Sequence, residues 1–279
     1  MIRTKMLLIT ASFLTAVWSL FPVYYAIVVS FAPPGMVPMK LGLPAYFTLD
    51  NWINVLFRGG MGEITFEANV WPFLLNSIIV AACCAILTML IVLPAAYTFS
   101  RDKGRVSRTT LFALLFFRMI PPISLIIPLY VWMYKLGLAG SLLSLILGHL
   151  VYTVPLGAWL MKGFFDMIPI EIEEAASIDG ASKFAILRKI VLPLSMPGTS
   201  VCITFSALIS YIEYTFASVL LGPGNSTMPV RIAYFIQPHM ILWRPLAATA
   251  LLSVVPMIIL FMAIQKYLVR GLTFGAIKG

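Results

Sequence analysis

Apolar residues run through this 279-residue chain in blocks long enough to cross a bilayer, and its polar residues gather in the gaps. Between Met6 and Met39 no charged residue occurs. A span needs about 20 apolar residues, so residues 7–31 are predicted as the first, ended by Pro33-Pro34-Gly35. Arg3 and Lys5 before an apolar run also suit a secretion signal, but the run exceeds the roughly 7–15 residues of such a core. It is read as a retained span after a short N-terminus, residues 1–6. A loop over 32–71 mixes Lys40, Asp50, Arg58, Glu63 and Glu67 with Tyr46, Phe47, Trp52 and Trp71. Near-neutral charge and aromatics suit a membrane interface. The membrane core then covers 72–265, with a tail over 266–279. Its spans are predicted at 72–99, at 109–131 (interrupted by Arg118 and Pro121-Pro122), at 138–161, at 196–220 and at 245–265. The pattern is that of an all-α membrane protein with six transmembrane helices.

Composition agrees. Mean hydropathy is +1.00 and 61% of residues are hydrophobic, far above a soluble globular domain. A formal charge of +9 would suggest nucleic acid in a soluble protein, but here the cations follow the membrane. With the N-terminus inside, the inner segments carry Arg3, Lys5, Arg101, Lys103, Arg105, Arg108, Lys162, Lys183, Arg188, Lys189, Lys266, Arg270 and Lys278. The outer ones carry Lys40, Arg58, Lys135, Arg231 and Arg244. Such an excess of Lys and Arg marks the cytoplasmic side, so both termini are expected there. Cys83, Cys84 and Cys202 lie in apolar runs without metal-type spacing and read as small buried hydrophobes.

A polar stretch covers residues 162–193, and within it Glu174–Pro193 is the longest charge-dense interval of the chain. Pro169 suits a helix start, and Glu171, Glu173 and Glu174 load the early turns with negative charge, favourable at a helix N-terminus. Gly180 supplies the permissive backbone that ends this helix. Ser182 can cap a second helix, with Arg188 and Lys189 in its last turn and Pro193 as its stop. Two short helices are thus expected on the cytoplasmic face.

Glu174-Ala175-Ala176, then Asp179-Gly180, then Ile190 and Leu192-Pro193 resemble the EAA loop of permease subunits of bacterial ABC importers. The variant most similar is the carbohydrate-uptake type, like the shorter permease subunit of the maltose system. The number and order of the spans extend the resemblance over nearly the whole chain. It implies a type I importer-like permease whose EAA coupling helices (169–193) dock on an ATPase. The residues placed there are Glu174, Ala175, Ala176, Asp179, Gly180, Ile190, Leu192 and Pro193. It further implies a second permease subunit, an ATPase dimer carrying ATP and Mg, and an extracytoplasmic solute-binding protein. The cargo so implied is a sugar, oligosaccharide, polyol or sugar derivative. Surrounding lipid of the inner membrane completes the list of partners; no nucleic acid is expected. The tail Gly271–Gly279, with Gly275, Lys278 and Gly279, resembles one that reaches into the ATPase dimer, although a frayed terminus gives the same sequence.

This chain is not expected to be catalytic. Walker A ends in Gly-Lys, and the sequence contains no such pair. It is expected to bind no cofactor and no metal.

Arg118 and Glu213 are the unusual charged residues inside predicted spans, Arg118 roughly 13 Å deep at 1.5 Å per residue. An isolated mid-membrane charge costs about 2.5–3.5 kcal/mol on insertion scales. Three arrangements would relieve it: the two pair with each other, they meet polar groups of a partner permease, or they line the translocation pathway. Members of the family commonly carry a Trp-Asn-Asp/Glu-like cluster where this chain has Tyr211-Ile212-Glu213-Tyr214. His149 reads as a hydrogen-bonding helix residue, with a place in the pathway as the alternative. Asn76-Ser77 reads as polar contact between helices, and Tyr97, Tyr130, Trp132 and Tyr134 as interfacial aromatics. Pro94, Pro121, Pro122, Pro155 and Pro256 mark kinks or breaks. An ion-coupled transporter using Arg118, His149 and Glu213 as a relay is the competing function. A membrane enzyme would need catalytic groups clustered at one depth, and the ones here are scattered.

Overall fold

The computed structural model describes residues 2–33, 43–44, 46–58, 60–61, 64–65, 69–222 and 224–275. In chain order the helices are α1 (Ile2–Ser30), α2 (Asp50–Ile53), α3 (Trp71–Arg101), α4 (Arg105–Arg118), α5 (Pro122–Lys135) and α6 (Leu142–Asp166). There follow α7 (Ile170–Ile178), α8 (Lys183–Ile186), α9 (Leu192–Leu194), α10 (Met196–Ile212), α11 (Thr215–Leu220), α12 (Met228–Tyr234) and α13 (Trp243–Gly275). A two-residue pair, β1 (Gly60–Met61) against β2 (Ile64–Thr65), is the whole of the sheet structure among the described residues.

Four of these helices are each long and apolar enough to cross a membrane: α1, α3, α6 and α13. Two bent pairs bring the number to as many as six if each pair is counted as one span. Helices α4 and α5 meet at 100°, and the segment Lys183–Leu194 meets α10 at 83°. The first bend lies where Pro121-Pro122 removes two backbone donors, and Pro122 opens α5 at a position where its missing N–H costs nothing. The expected single crossing over 109–131 is therefore two helices at an angle. The expected span over 196–220 is also divided, because α10 stops at Ile212 and the chain turns extended at Glu213 (φ −70°, ψ 124°).

The chain forms two compact units, Met1–Leu74 with Val230–Val255 and Leu75–Pro229 with Pro256–Gly279. In the first unit, buried Asn51 gives its amide hydrogens to Ser30 O (2.9 Å) and Ala32 O (3.1 Å), satisfying the frayed end of α1. Trp52, expected at an interface, packs tilted against Phe31 at 5.7 Å and donates to Ser30 Oγ. Helix α1 is exposed along Lys5–Tyr24, which is sustainable for an apolar helix in lipid or against another chain.

In the second unit α6 is the central helix and packs on α10, α4 and α11. The core there holds Met89, Val92 and Ala96 of α3, Leu111 of α4, Ala158, Met161 and Phe165 of α6, and Cys202 of α10. Thr88 and Thr153 share a hydrogen bond of 2.7 Å across α3 and α6, and Thr153 also reaches His149 O. Asn76 and Ser77 tie down a loop and not a neighbouring helix: Asn76 Nδ2 donates to Ser226 O (3.0 Å), and Ser77 Oγ accepts from Met228 N (2.8 Å).

Helices α6 and α10 approach closely at Gly198. A Cβ placed there would lie 2.3 Å from Phe164 Cγ, whereas one at Gly163 would meet nothing within 4 Å. Gly198→Ala is expected to destabilise by about 1–3 kcal/mol through overpacking. Gly163→Ala is expected to stabilise by up to about 1 kcal/mol through helix propensity. Thermal unfolding midpoints of the purified variants distinguish the two.

Candidate functional site

The loop between α6 and α10 begins as the sequence suggests, with Pro169 just ahead of α7. Its turn at Gly180 has φ +82°, a conformation that favours glycine. Ala181 N donates to Ala176 O (3.0 Å) and Gly180 N to Ser177 O (3.0 Å). That pair of bonds is a Schellman ending, which uses the carbonyls a helix C-terminus leaves free. Ser182 then caps α8 by accepting from Ala185 N (3.3 Å).

Pro193 does not stop the second helix as expected. The chain winds on through a π-helical turn at Leu187–Val191 into α9 and breaks at Ser195. A wider turn just before a proline relieves the clash between its ring and the preceding carbonyls.

Of the motif residues, Glu174, Ala175, Asp179, Gly180 and Pro193 are exposed, and Ala176, Ile190 and Leu192 are half-buried. Beside them stand two large apolar side chains that the sequence reading passed over, Ile178 at 87% exposure and Phe184 at 70%. Their signal in the sequence was apolar bulk inside a charge-dense stretch.

Glu173 was read only as one of three acids near a helix start. It is the buried one, at 6% exposure. Arg101, at the end of α3, donates to Glu173 Oε1 from both Nε (2.8 Å) and Nη2, and Nη2 also reaches Ile168 O. Tyr97, one turn earlier on α3, donates to Glu173 Oε2 at 2.6 Å and packs edge-on to Phe165. Tyr97 therefore belongs to this network and not to an aromatic belt. A second tie lies alongside: Ser100 Oγ donates to Asp166 Oδ1 (2.6 Å), and Lys162 pairs with the same carboxylate.

The third cluster centres on Glu213. Its carboxylate accepts from Phe216 N (2.9 Å) and Ala217 N (3.2 Å), so it caps the N-terminus of α11. His149 Nε2 lies 3.3 Å from Glu213 Oε2, while Nδ1 lies 2.7 Å from Ser210 Oγ. The imidazole also stacks on Phe216. Arg118 is elsewhere, in the last turn of α4, donating from Nη1 to Tyr152 O (2.9 Å). That carbonyl neighbours the one at Val151, which Pro155 cannot serve. No ion pair or hydrogen bond among the described residues joins Arg118 to Glu213 or to His149. The expected alternative of an Arg118–Glu213 pair is thus replaced by two separate arrangements, and a three-residue relay is not assembled. Gly275 ends α13, while Lys278 and Gly279 lie outside the described residues. Among the described residues no cluster of His, Cys, Asp or Glu has the spacing to hold a metal.

Four helices long and apolar enough to cross a membrane, with two bent pairs beside them, define a helical membrane protein. Residues 88–274 match the family model of the binding-protein-dependent transport system inner membrane component. The chain belongs to that family. Among curated relatives it is 35% identical to the trehalose/maltose transport system permease protein MalG of Thermococcus litoralis, over 99% of this chain and 97% of that one. It is 31% identical to the maltose/maltodextrin transport system permease protein MalG of Escherichia coli K12, over 93% and 91%. Among solved structures, a chain of a bacterial ABC transporter involved in import of the acidic polysaccharide alginate superposes with a TM-score of 0.76. That match is 21% identical and covers 95% of this chain and 96% of the other, so it shows the fold. The expected importer-permease fold is borne out.

Removing the Glu213 carboxylate is expected to loosen α11. Glu213→Ala should lower stability by about 0.5–2 kcal/mol, the cost of a lost helix cap. Faster amide exchange at Phe216 and Ala217 is the local readout. Glu213→Gln, which keeps an acceptor oxygen, should lose less.

Proposed function

We propose that this chain is one permease subunit of a paired transmembrane channel that imports a sugar, oligosaccharide, polyol or sugar derivative. A solute-binding protein delivers the cargo to the outer loops, and two copies of a separate ATPase, holding ATP and Mg, drive uptake. Both termini and the loop between α6 and α10 lie on the cytoplasmic side. The class of cargo is taken from the maltose, trehalose and alginate systems to which the chain is similar.

The single observation that carries the coupling assignment is the bare face of α7 and α8. Ile178 and Phe184 stand exposed on either side of a turn whose backbone is hydrogen-bonded at Asp179, Gly180 and Ala181. Burying such a side chain in a partner groove is worth about 1.5–3 kcal/mol. Ala175 keeps the helix surface low there, and Glu174 and Asp179 offer carboxylates to cations of the partner. Closure of the ATPases on ATP then shifts this loop, and because α7 is joined by chain to α6 and through α9 to α10, the shift rocks those helices between inward- and outward-open arrangements.

Co-purification from native membranes, followed by an ATPase assay with the binding protein, tests the reading. A second permease and a Walker A subunit should come down with the chain, and the binding protein should raise hydrolysis. Ile178→Asp is expected to weaken association with the ATPase by about 2 kcal/mol, roughly 30-fold. Gly180→Pro, which cannot reach φ +82°, and Glu174→Lys are expected to abolish uptake while the permease stays in the membrane. Wild-type uptake in these variants would sink the coupling assignment.

A further inference from the structure

We infer that Arg101, Glu173 and Tyr97 form a latch that makes α3 travel with the coupling helix α7 through the transport cycle. The inference rests on the coupling reading above and names positioning residues for it. Chain connectivity alone ties α7 to α6 through residues 167–169 and to α10 through 179–195. Helix α3 has no such link, because more than the whole of α4, α5 and α6 intervenes. Side chains supply it.

Tyr97 and Arg101 are four residues apart on α3 and therefore share a face. Between them they occupy both oxygens of Glu173, and Arg101 adds the carbonyl of Ile168 just beyond α6. The side chains of Arg101 and Glu173 are 17% and 7% exposed. Opening such a pair leaves two poorly hydrated charges, so it stays closed when the helices move. Glu174 sits about 100° further round α7 and is exposed. The adjacent acids thus divide the work: Glu173 holds α7 to the permease, and Glu174 remains for the ATPase. Ser100 on Asp166 ties the same end of α3 to the end of α6. Helix α4 starts only four residues after Arg101, with Asp102 accepting from Gly104 N in the turn. Displacement of α7 would therefore carry α3 and pull on the start of α4, whose far end is the 100° bend.

The complete complex with its ATPase and binding protein, reconstituted in proteoliposomes, provides the test. Arg101→Cys with Glu173→Cys is made in a background where Cys83, Cys84 and Cys202 are replaced by Ser. Uptake per ATP hydrolysed should fall about tenfold, within the usual range of coupling between sites, in complexes that still assemble. Joining the two thiols with a short bis-thiosulfonate should restore it, because the latch never needs to open. The reversed pair Arg101→Glu with Glu173→Arg should recover more uptake per ATP than Glu173→Gln alone. A purely structural role would lower the yield of complex and leave uptake per ATP unchanged, and that result overturns the latch. So does loss of transport on cross-linking. If the unsubstituted complex shows no ATP-driven uptake, it is the coupling reading underneath that falls.

Discussion

Inside a bilayer no water is available to a backbone group released from its helix, so every break must find partners within the protein. This fold is built around breaks, and polar side chains stand at them. Glu213 takes the first amides of α11. Ser141 accepts from Ser144 N at the start of α6, and Ser144 Oγ donates to Leu220 O at the end of α11. Arg118 closes α4 against a carbonyl of α6. Glu213, Ser141, Ser144 and Arg118 are accounted for by this one requirement.

The same requirement explains why Glu213 and Arg118 tolerate their surroundings without each other. A carboxylate with two backbone donors and an imidazole has exchanged hydration for fixed dipoles. The guanidinium lies at a helix C-terminus, where the carbonyl ends of the peptide dipoles favour a cation. Each charge is matched locally.

Much of this was legible in the sequence. Apolar block lengths gave the spans, Pro121-Pro122 marked one bend, and Gly180 and Ser182 marked the turn and cap of the loop. The break at Glu213 was not legible, because Ile212-Glu213-Tyr214-Thr215 contains neither proline nor glycine and the apolar pattern runs on through it. Nor was the π-helical turn before Pro193, since a proline reads equally as a helix stop or as a position that a wider turn accommodates. The roles of Glu173 and Glu174 could not be separated either. Two neighbouring acids at a helix start look alike until Tyr97 and Arg101, more than seventy positions earlier, are brought beside one of them.

That separation bears on how a short loop can act as a lever. A helix of nine residues has too few internal bonds to be stiff in isolation. Here its start is held by Glu173 on α3, its middle by half-buried Ala176 against the core, and its end by the Schellman bonds at Gly180. In the coupling proposed above, a load on Ile178 at the end of α7 is passed through these three points to the elements α7 is attached to. On that proposal the exposed apolar face and the buried Arg101–Glu173 pair are two ends of one mechanical element.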